Sequence, residues 1–420
     1  MSLQKTDSIE GARAKFIARA GHMTPAVERL PLADALGRVL AVDVYAAEDI
    51  PSFDRSIVDG YAVRSADMAA AAQTGGFLRM TEAIAMGEAP KRALESGECA
   101  YVPTGAMLPE GADAMVMVED TARDEAGRVT IRASAPPWAT QGTLAVGAGI
   151  ARAGEDMKRG GLVLSRGALL RPCDVGALAA NGRMEVPVYS LFRLSVISTG
   201  DELVEPRAAP RSPPQGAEVR DVNTSALVAL AAGSGYRVAS SVVLRDDATA
   251  ITEAVRGALG ASDVVVVSGG SSMGERDLTA EVFKEITGEE NIVHGIAVKP
   301  GKPTIVAFDA RTQTVLMGLP GHPVSAMMTF RLMLAWFYRK LTGQREPFPI
   351  PARLCCDAPG TPGRTTLQAV ALHLDGTGYK AEPVFGKSGM ITTMTRADGF
   401  FVIDADALAL EGTAVLVYPC

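Results

Sequence analysis

The chain is poor in the residues that build disulfide frameworks and zinc centres. Its five cysteines have no paired spacing, and two of them, Cys355 and Cys356, are simply adjacent. Neither a disulfide framework nor a zinc ligand set follows from that pattern. Histidine is scarcer still. Of the four, His22 sits among helix-breaking residues, His294 precedes a strand-like run and His373 lies in the tail, so these three read as structural and not as a metal cluster. There is no excess of basic charge. A net charge of −7 excludes general affinity for nucleic acid or an anionic membrane, so any anion must be held in a local pocket. Long apolar runs are also missing. The longest, Val324 to Tyr338, is interrupted by Arg331 and falls short of the roughly 20 residues that span a bilayer; it predicts a buried helix. The N-terminal residues lack the basic start and apolar stretch of an export signal. The expected setting is the reducing cytoplasm.

What is present is a long and largely apolar chain: 420 residues at 47% hydrophobic exceed one small core and predict two to four domains. Ile9 to Leu40 has helical spacing with Ser8 as N-cap, and Pro25 and Pro31 divide it into two expected short helices. From Val42 to about Thr143, short β-type runs such as Glu98–Val102 and Ala114–Val118 alternate with Gly and Pro. Between Leu191 and Gly343 the rhythm is strand and helix in turn, which predicts βαβ units and a mostly parallel sheet. The tail from Pro347 returns to β-type runs. The expected class is therefore α/β plus β, multidomain. A central, mostly parallel α/β domain (191–343) carries a β-rich insert (45–143), an elongated N-terminal helical or linker domain (1–44 with 144–190) and a C-terminal β-barrel-like domain (344–420).

Polar chemistry collects where the α/β strands end. Ser198-Thr199-Gly200-Asp201-Glu202, Arg245-Asp246-Asp247 and the run from Ser268-Gly269-Gly270 to Asp277 follow three strands; Lys299-Pro-Gly-Lys302-Pro and Gly318-Leu-Pro320-Gly321-His322 follow later ones. Glycines after a strand let backbone N–H groups approach an anion, and a helix starting just beyond adds a favourable dipole. Carboxylates opposite can hold a hard cation such as Mg2+, which bridges to substrate phosphates. Each piece also has a plain structural reading: a Gly-Gly turn, an acidic helix cap at Asp246 and Asp247, an exposed lysine turn. Capping alone, however, does not require all five segments to fall on the same side of one sheet. A separate loop, Pro51 to Ala62, spends Asp54, Arg55, Ser56 and Asp59 on a stretch too polar for a core element. It reads equally as a site loop or as a turn before a strand.

Phe53-Asp-Arg-Ser-Ile-Val-Asp-Gly-Tyr-Ala62, Pro103-Thr-Gly-Ala106, Gly154-Glu-Asp156, Ser198–Glu202, Ser268-Gly-Gly, Lys299–Pro303 and Gly318-Leu-Pro-Gly321 resemble, in order, the molybdopterin molybdenumtransferase family, which includes the large C-terminal domain of gephyrin. The resemblance spans nearly the whole chain. It implies insertion of molybdenum from molybdate into adenylylated molybdopterin, with release of AMP and help from Mg2+. It implies that Asp59, Glu202, Asp246 and Asp277 serve the chemistry, and that Glu202, Asp246, Asp247 and Asp277 hold the metal. Substrate contacts would come from Thr104, Thr199, Gly200, Asp201, Ser268, Gly269, Gly270, Lys299, Lys302, Pro320, Gly321, His322, Arg364 and Ser388, with Asp156 in support. Arg364 and Ser388 carry no signal outside the resemblance. It also implies a homodimer in which Asp59 and Thr104 complete the partner's pocket, and transient contact with molybdopterin adenylyltransferase and acceptor molybdoenzymes.

His322 stands where the family usually has asparagine, and Ser271 and Met273 replace small aliphatics. Two other readings stay open: a molybdopterin adenylyltransferase, and a paralogue or scaffold with altered oxyanion or partner specificity.

Overall fold

Val264 to Val267 are all fully buried, as a β-branched run must be when helices cover both faces of its strand. In the computed structural model, which describes residues 6–72, 76–132, 143–204, 216–269, 278–376 and 378–420, this run is the centre of a six-stranded sheet. Its strands are β1 (Phe192–Thr199), β2 (Tyr236–Leu244), β3 (Val264–Ser268), β4 (Val293–His294), β5 (Ile305–Asp309) and β6 (Thr314–Leu319), in the order β2-β1-β3-β6-β5-β4. Helices α1 (Asn223–Ala232), α2 (Ala248–Ala258), α3 (Leu278–Thr287) and α4 (Pro323–Phe330) connect or follow them.

The sheet is mixed: β2-β1-β3-β6 run parallel as expected, while β5 pairs antiparallel with β6, and β4 pairs antiparallel with β5. Only Ala310 to Gln313 separate β5 from β6, and a parallel crossover needs about a dozen residues or more. The apolar run from Val324 is helical as expected. It passes from α4 through a π-helical turn, Arg331–Ala335, into Trp336–Thr342, and ends at Gly343 with φ +73.

The N-terminal region is β-rich and not the helical domain expected. Ile9–Ala20 does form a helix, with Ser8 accepting the Gly11 N–H at 3.0 Å. Its apolar face, Ile9, Ala12, Phe16 and Ala20, packs into the core of the central sheet, where Phe16 stacks on Phe337 at 4.2 Å between centroids. The second expected helix is absent. Val27–Pro31 is a strand antiparallel to Glu185–Tyr189, followed by a single 3-10 turn, Leu32–Asp34. Proline at Pro31 forbids helix continuation there, while pairing brings Val186 and Val188 into a small core with Leu30 and Leu40.

Residues 60–131 hold a second six-stranded sheet, with Gly60–Val63 between Ala114–Met117 and Glu98–Val102. The C-terminal region closes on itself. Its strands β7 (Ile350–Leu354), β8 (Thr365–Asp375), β9 (Gly378–Pro383), β10 (Gly399–Ile403) and β11 (Ala414–Pro419) pair in the ring β8-β9-β7-β11-β10-β8. This five-stranded barrel has no free edge, and Val370, Ala381, Phe401 and Val417 fill it.

Inside the second sheet, the buried Glu98 carboxylate is bonded by the Glu95 N–H, by Arg92 and by Arg79. The Glu95 N–H most of all, then the two guanidiniums, outweigh burial and hold it below the ordinary glutamate range. The folded-state pKa is depressed, so this stabilisation is complete above the unfolded value and is lost as pH falls through the folded one. Glu98→Gln should therefore cost about 1–3 kcal/mol at neutral pH, and the gap to the native protein should close on acidification. Thermal unfolding of both proteins between about pH 3 and pH 7, a range that brackets the ordinary glutamate pKa, checks this.

Candidate anion-binding site

A cavity of about 860 Å³ lies between the central sheet and the barrel. Lys299, Lys302, Pro320 and His322 line it from the sheet side, and Arg364 and Ser388 from the barrel side. Six expected residues thus meet in one place. Lys387 adds a fourth cation, and among the described residues the lining holds no acid. Among the described residues, none of the ammonium or guanidinium groups of Lys299, Lys302, Arg364 and Lys387 has an ion-pair partner. Exposed cations ordinarily scatter among acids, so convergence on an acid-free cavity marks an anion site.

The backbone holds these cations in place. Val298–Lys299 pairs in parallel with Thr365–Thr366 of β8, which fixes Lys299 beside Arg364, while Ile296 bridges to Asp7 ahead of the N-terminal helix. Gly301, at φ +119, lies so close to Thr329 that a Cβ would stand 2.5 Å from its hydroxyl, so a side chain there would push the lysine loop out of position.

Ser388 closes the junction: its carbonyl accepts the Val324 N–H at 3.1 Å, and its hydroxyl lies 3.1 Å from His322 Nδ1. One of the α4 donors expected to meet an anion is therefore used within the protein. His322 is the N-cap residue by position, but its ring makes no cap hydrogen bond and reaches the barrel instead.

The other expected positions gather at the ends of β1 and β3. Thr199 is buried and its hydroxyl has no hydrogen-bond partner. Gly269 has φ +113, and a Cβ there would stand 2.1 Å from the Thr199 carbonyl, so only glycine fits. Gly200 donates to the Leu244 carbonyl at 3.1 Å, and the Asp201 carboxylate accepts the Asp246 N–H at 3.3 Å. Asp247 caps α2 through the Ala250 N–H at 2.7 Å, which is the plain structural role its position allows. Glu202 and Asp246 are exposed, and among the described residues no donor reaches their carboxylates. Gly270, Ser271, Met273 and Asp277 lie outside the described residues. Among the described residues no three acids, histidines or cysteines gather as a metal cage. Two free carboxylates at adjoining strand ends nevertheless fit Mg2+, which binds through one or two carboxylates plus substrate phosphates.

Two buried residues escaped the sequence reading. Asn223 donates to Ser268 Oγ at 2.9 Å and to the Gly321 carbonyl at 2.7 Å, tying the end of β3 to the loop before α4. Asp221 accepts the Thr224 N–H at 3.2 Å through Oδ1, while its buried Oδ2 has no partner. An Asp-x-Asn ahead of a helix looks like ordinary capping; only burial distinguishes it.

The loop from Pro51 separates its two carboxylates by task. Asp54 binds Arg152 at 2.7 Å and the Ala153 N–H at 2.8 Å. Burial opposes its charge, but these two partners prevail and hold the carboxyl below the ordinary aspartate range. Asp59 accepts the Thr104 N–H at 2.7 Å, so these two expected residues do meet, at an exposed position. None of the described residues of 45–143 lines the cavity. Asp156 donates its backbone N–H to Ile50 at 3.0 Å.

Fold and cavity define a multidomain α/β protein with a cation-lined cavity between its central sheet and its barrel. Residues 7–182 match the MoeA N-terminal region (domain I and II), 195–340 the probable molybdopterin binding domain and 351–420 the MoeA C-terminal region (domain IV). A molybdopterin molybdenumtransferase of Haemophilus influenzae is 35% identical over 339 residues, covering 81% of this chain and 78% of that protein. One from Nostoc is 30% identical over 391 residues, covering 91% and 86%. Two solved MoeA structures from Pyrococcus horikoshii cover 99% of this chain and 99% and 100% of theirs, with TM-scores of 0.75 and 0.76 at 33% and 26% identity. The chain belongs to the MoeA family: it is a molybdopterin molybdenumtransferase of molybdenum cofactor biosynthesis.

Asn223→Ala should cost about 1–3 kcal/mol, because the buried Ser268 Oγ and the half-buried bond to the Gly321 carbonyl lose their donor, and should weaken ligand binding at the β3 end. Urea unfolding gives the first quantity. Loss of binding without loss of stability would show that Asn223 contacts ligand directly and does not act by tying Ser268 to Gly321.

Proposed function

We propose that this enzyme inserts molybdenum from molybdate into adenylylated molybdopterin and releases AMP. The observation that carries the reading is the cavity in which, among the described residues, four cations meet without an ion-pair partner or an acid in the lining. Lys299, Lys302 and Arg364 would hold the molybdate dianion by charge-assisted hydrogen bonds, and the Ser388 hydroxyl would add a neutral contact. At the strand ends, Ser268, Gly269 and the unsatisfied Thr199 hydroxyl would receive the nucleotide and pterin end, where backbone approach is close. Glu202 and Asp246 would hold Mg2+, which when bound neutralises phosphate oxygens. The cytoplasm, where adenylylated substrate would pass from an adenylyltransferase and product to acceptor molybdoenzymes, is the proposed setting. Among the described residues no helix is long and apolar enough to cross a membrane.

Asp59 and Thr104 stand apart from the cavity of their own chain, which supports a homodimer in which they complete the partner's site.

With adenylylated molybdopterin, Mg2+ and molybdate, the protein should release AMP together with active cofactor. Arg364→Ala should slow that release by at least about tenfold, the scale of one charge-assisted contact. AMP release independent of molybdate would overturn the reading.

Asp59→Asn and Arg364→Ala subunits, each slow alone, should recover part of the activity when mixed and allowed to exchange. No recovery on proven exchange would remove the shared-site proposal.

A further inference from the structure

Lys387 belongs to no motif in the sequence, yet it lines the cavity immediately before Ser388, the residue held by both Val324 and His322. Its backbone is therefore anchored to the start of α4, while its side chain is exposed and has no ion-pair partner among the described residues. The lining offers it Lys299, Lys302 and Arg364 as charged neighbours, and no acid. A fourth cation in such company is unfavourable until an anion arrives. Buried and unpartnered Thr393 Oγ1 lies in the same wall, close against Gly386, so this side of the cavity keeps polar capacity that the fold does not use.

We propose that Lys387 is a specificity-determining residue that selects tetrahedral dianions over monoanions. The inference rests on the cavity being the oxyanion site. Lys299, Lys302 and Arg364 set the base affinity for any oxyanion. Lys387 adds a second charge beside that of Arg364 on the barrel wall, and the gain scales with the charge on the ligand, so a dianion benefits about twice as much as a monoanion of the same shape.

Isothermal titration of the full-length protein with molybdate, tungstate and perchlorate tests this, with Lys387→Met and Lys387→Arg as variants. Lys387→Met keeps most of the stem and removes the charge. It should weaken molybdate and tungstate by roughly three- to tenfold at low salt, with a smaller loss for perchlorate and a difference that shrinks as salt rises. Lys387→Arg should retain the preference. Melting temperature separates a structural role: relief of like-charge repulsion should leave ligand-free Lys387→Met at least as stable as the native protein. Equal losses for dianion and monoanion, unchanged affinities, or a destabilised variant would overturn the inference. If the native protein itself fails to bind molybdate, the oxyanion-site reading fails first.

Discussion

Four positive groups facing one acid-free cavity repel one another, and the architecture around them depends on resisting that repulsion. Two cations come from the sheet side and two from the barrel, so unopposed they would favour separation of the two bodies. Neutral contacts hold them instead: the short ladder of Val298–Lys299 with Thr365–Thr366, and the double attachment of Ser388 to Val324 and His322. Because the fold itself restrains the charges, they are already assembled, and the proposed oxyanion would be spared the cost of gathering them.

Charges of the two signs are divided in space. The barrel junction carries cations, whereas the strand ends carry carboxylates such as Glu202 and Asp246 together with hydroxyls and an amide from Thr199, Ser268 and Asn223. A compact oxyanion is recognised best by charge, and a large, partly apolar ligand by shape and donors. The buried Asp221 and Thr199 leave polar atoms unsatisfied inside the protein, which folding alone would disfavour. Such atoms fit a site that is completed from outside.

Strand ends were legible because an apolar β-branched run stops abruptly at glycine, proline and charge, as at Val264–Ser268 and Lys299–Pro303. The antiparallel edge was written in the short interval between Asp309 and Thr314, but rhythm alone smoothed it into a parallel sheet. Val27–Pro31 read as helix because its apolar residues could satisfy either period, and only pairing with Glu185–Tyr189, more than 150 residues away in sequence, decides for the strand. Arg364 and Ser388 were visible through resemblance alone. Their meaning lies in contacts across the fold, such as Ser388 with His322, which no local pattern encodes. Asp247 shows the reverse: its capping geometry was as legible as its candidate metal role.

The two carboxylates of the Pro51 loop show why the insert matters to a cavity it does not line. Asp54 is spent on Arg152 and Ala153, which pins the loop to the strand-forming segment at Ile150–Ala151. The carboxylate of Asp59, five residues on, accepts the Thr104 N–H and stays open to solvent. One acid fixes the loop so that the other can be presented. A carboxylate facing the cavity would pair with its lysines and weaken the positive field. Asp59, placed ahead of the strand Gly60–Val63 in a separate sheet, stands clear of the cavity of its own chain, whose lining among the described residues holds cations and no acid.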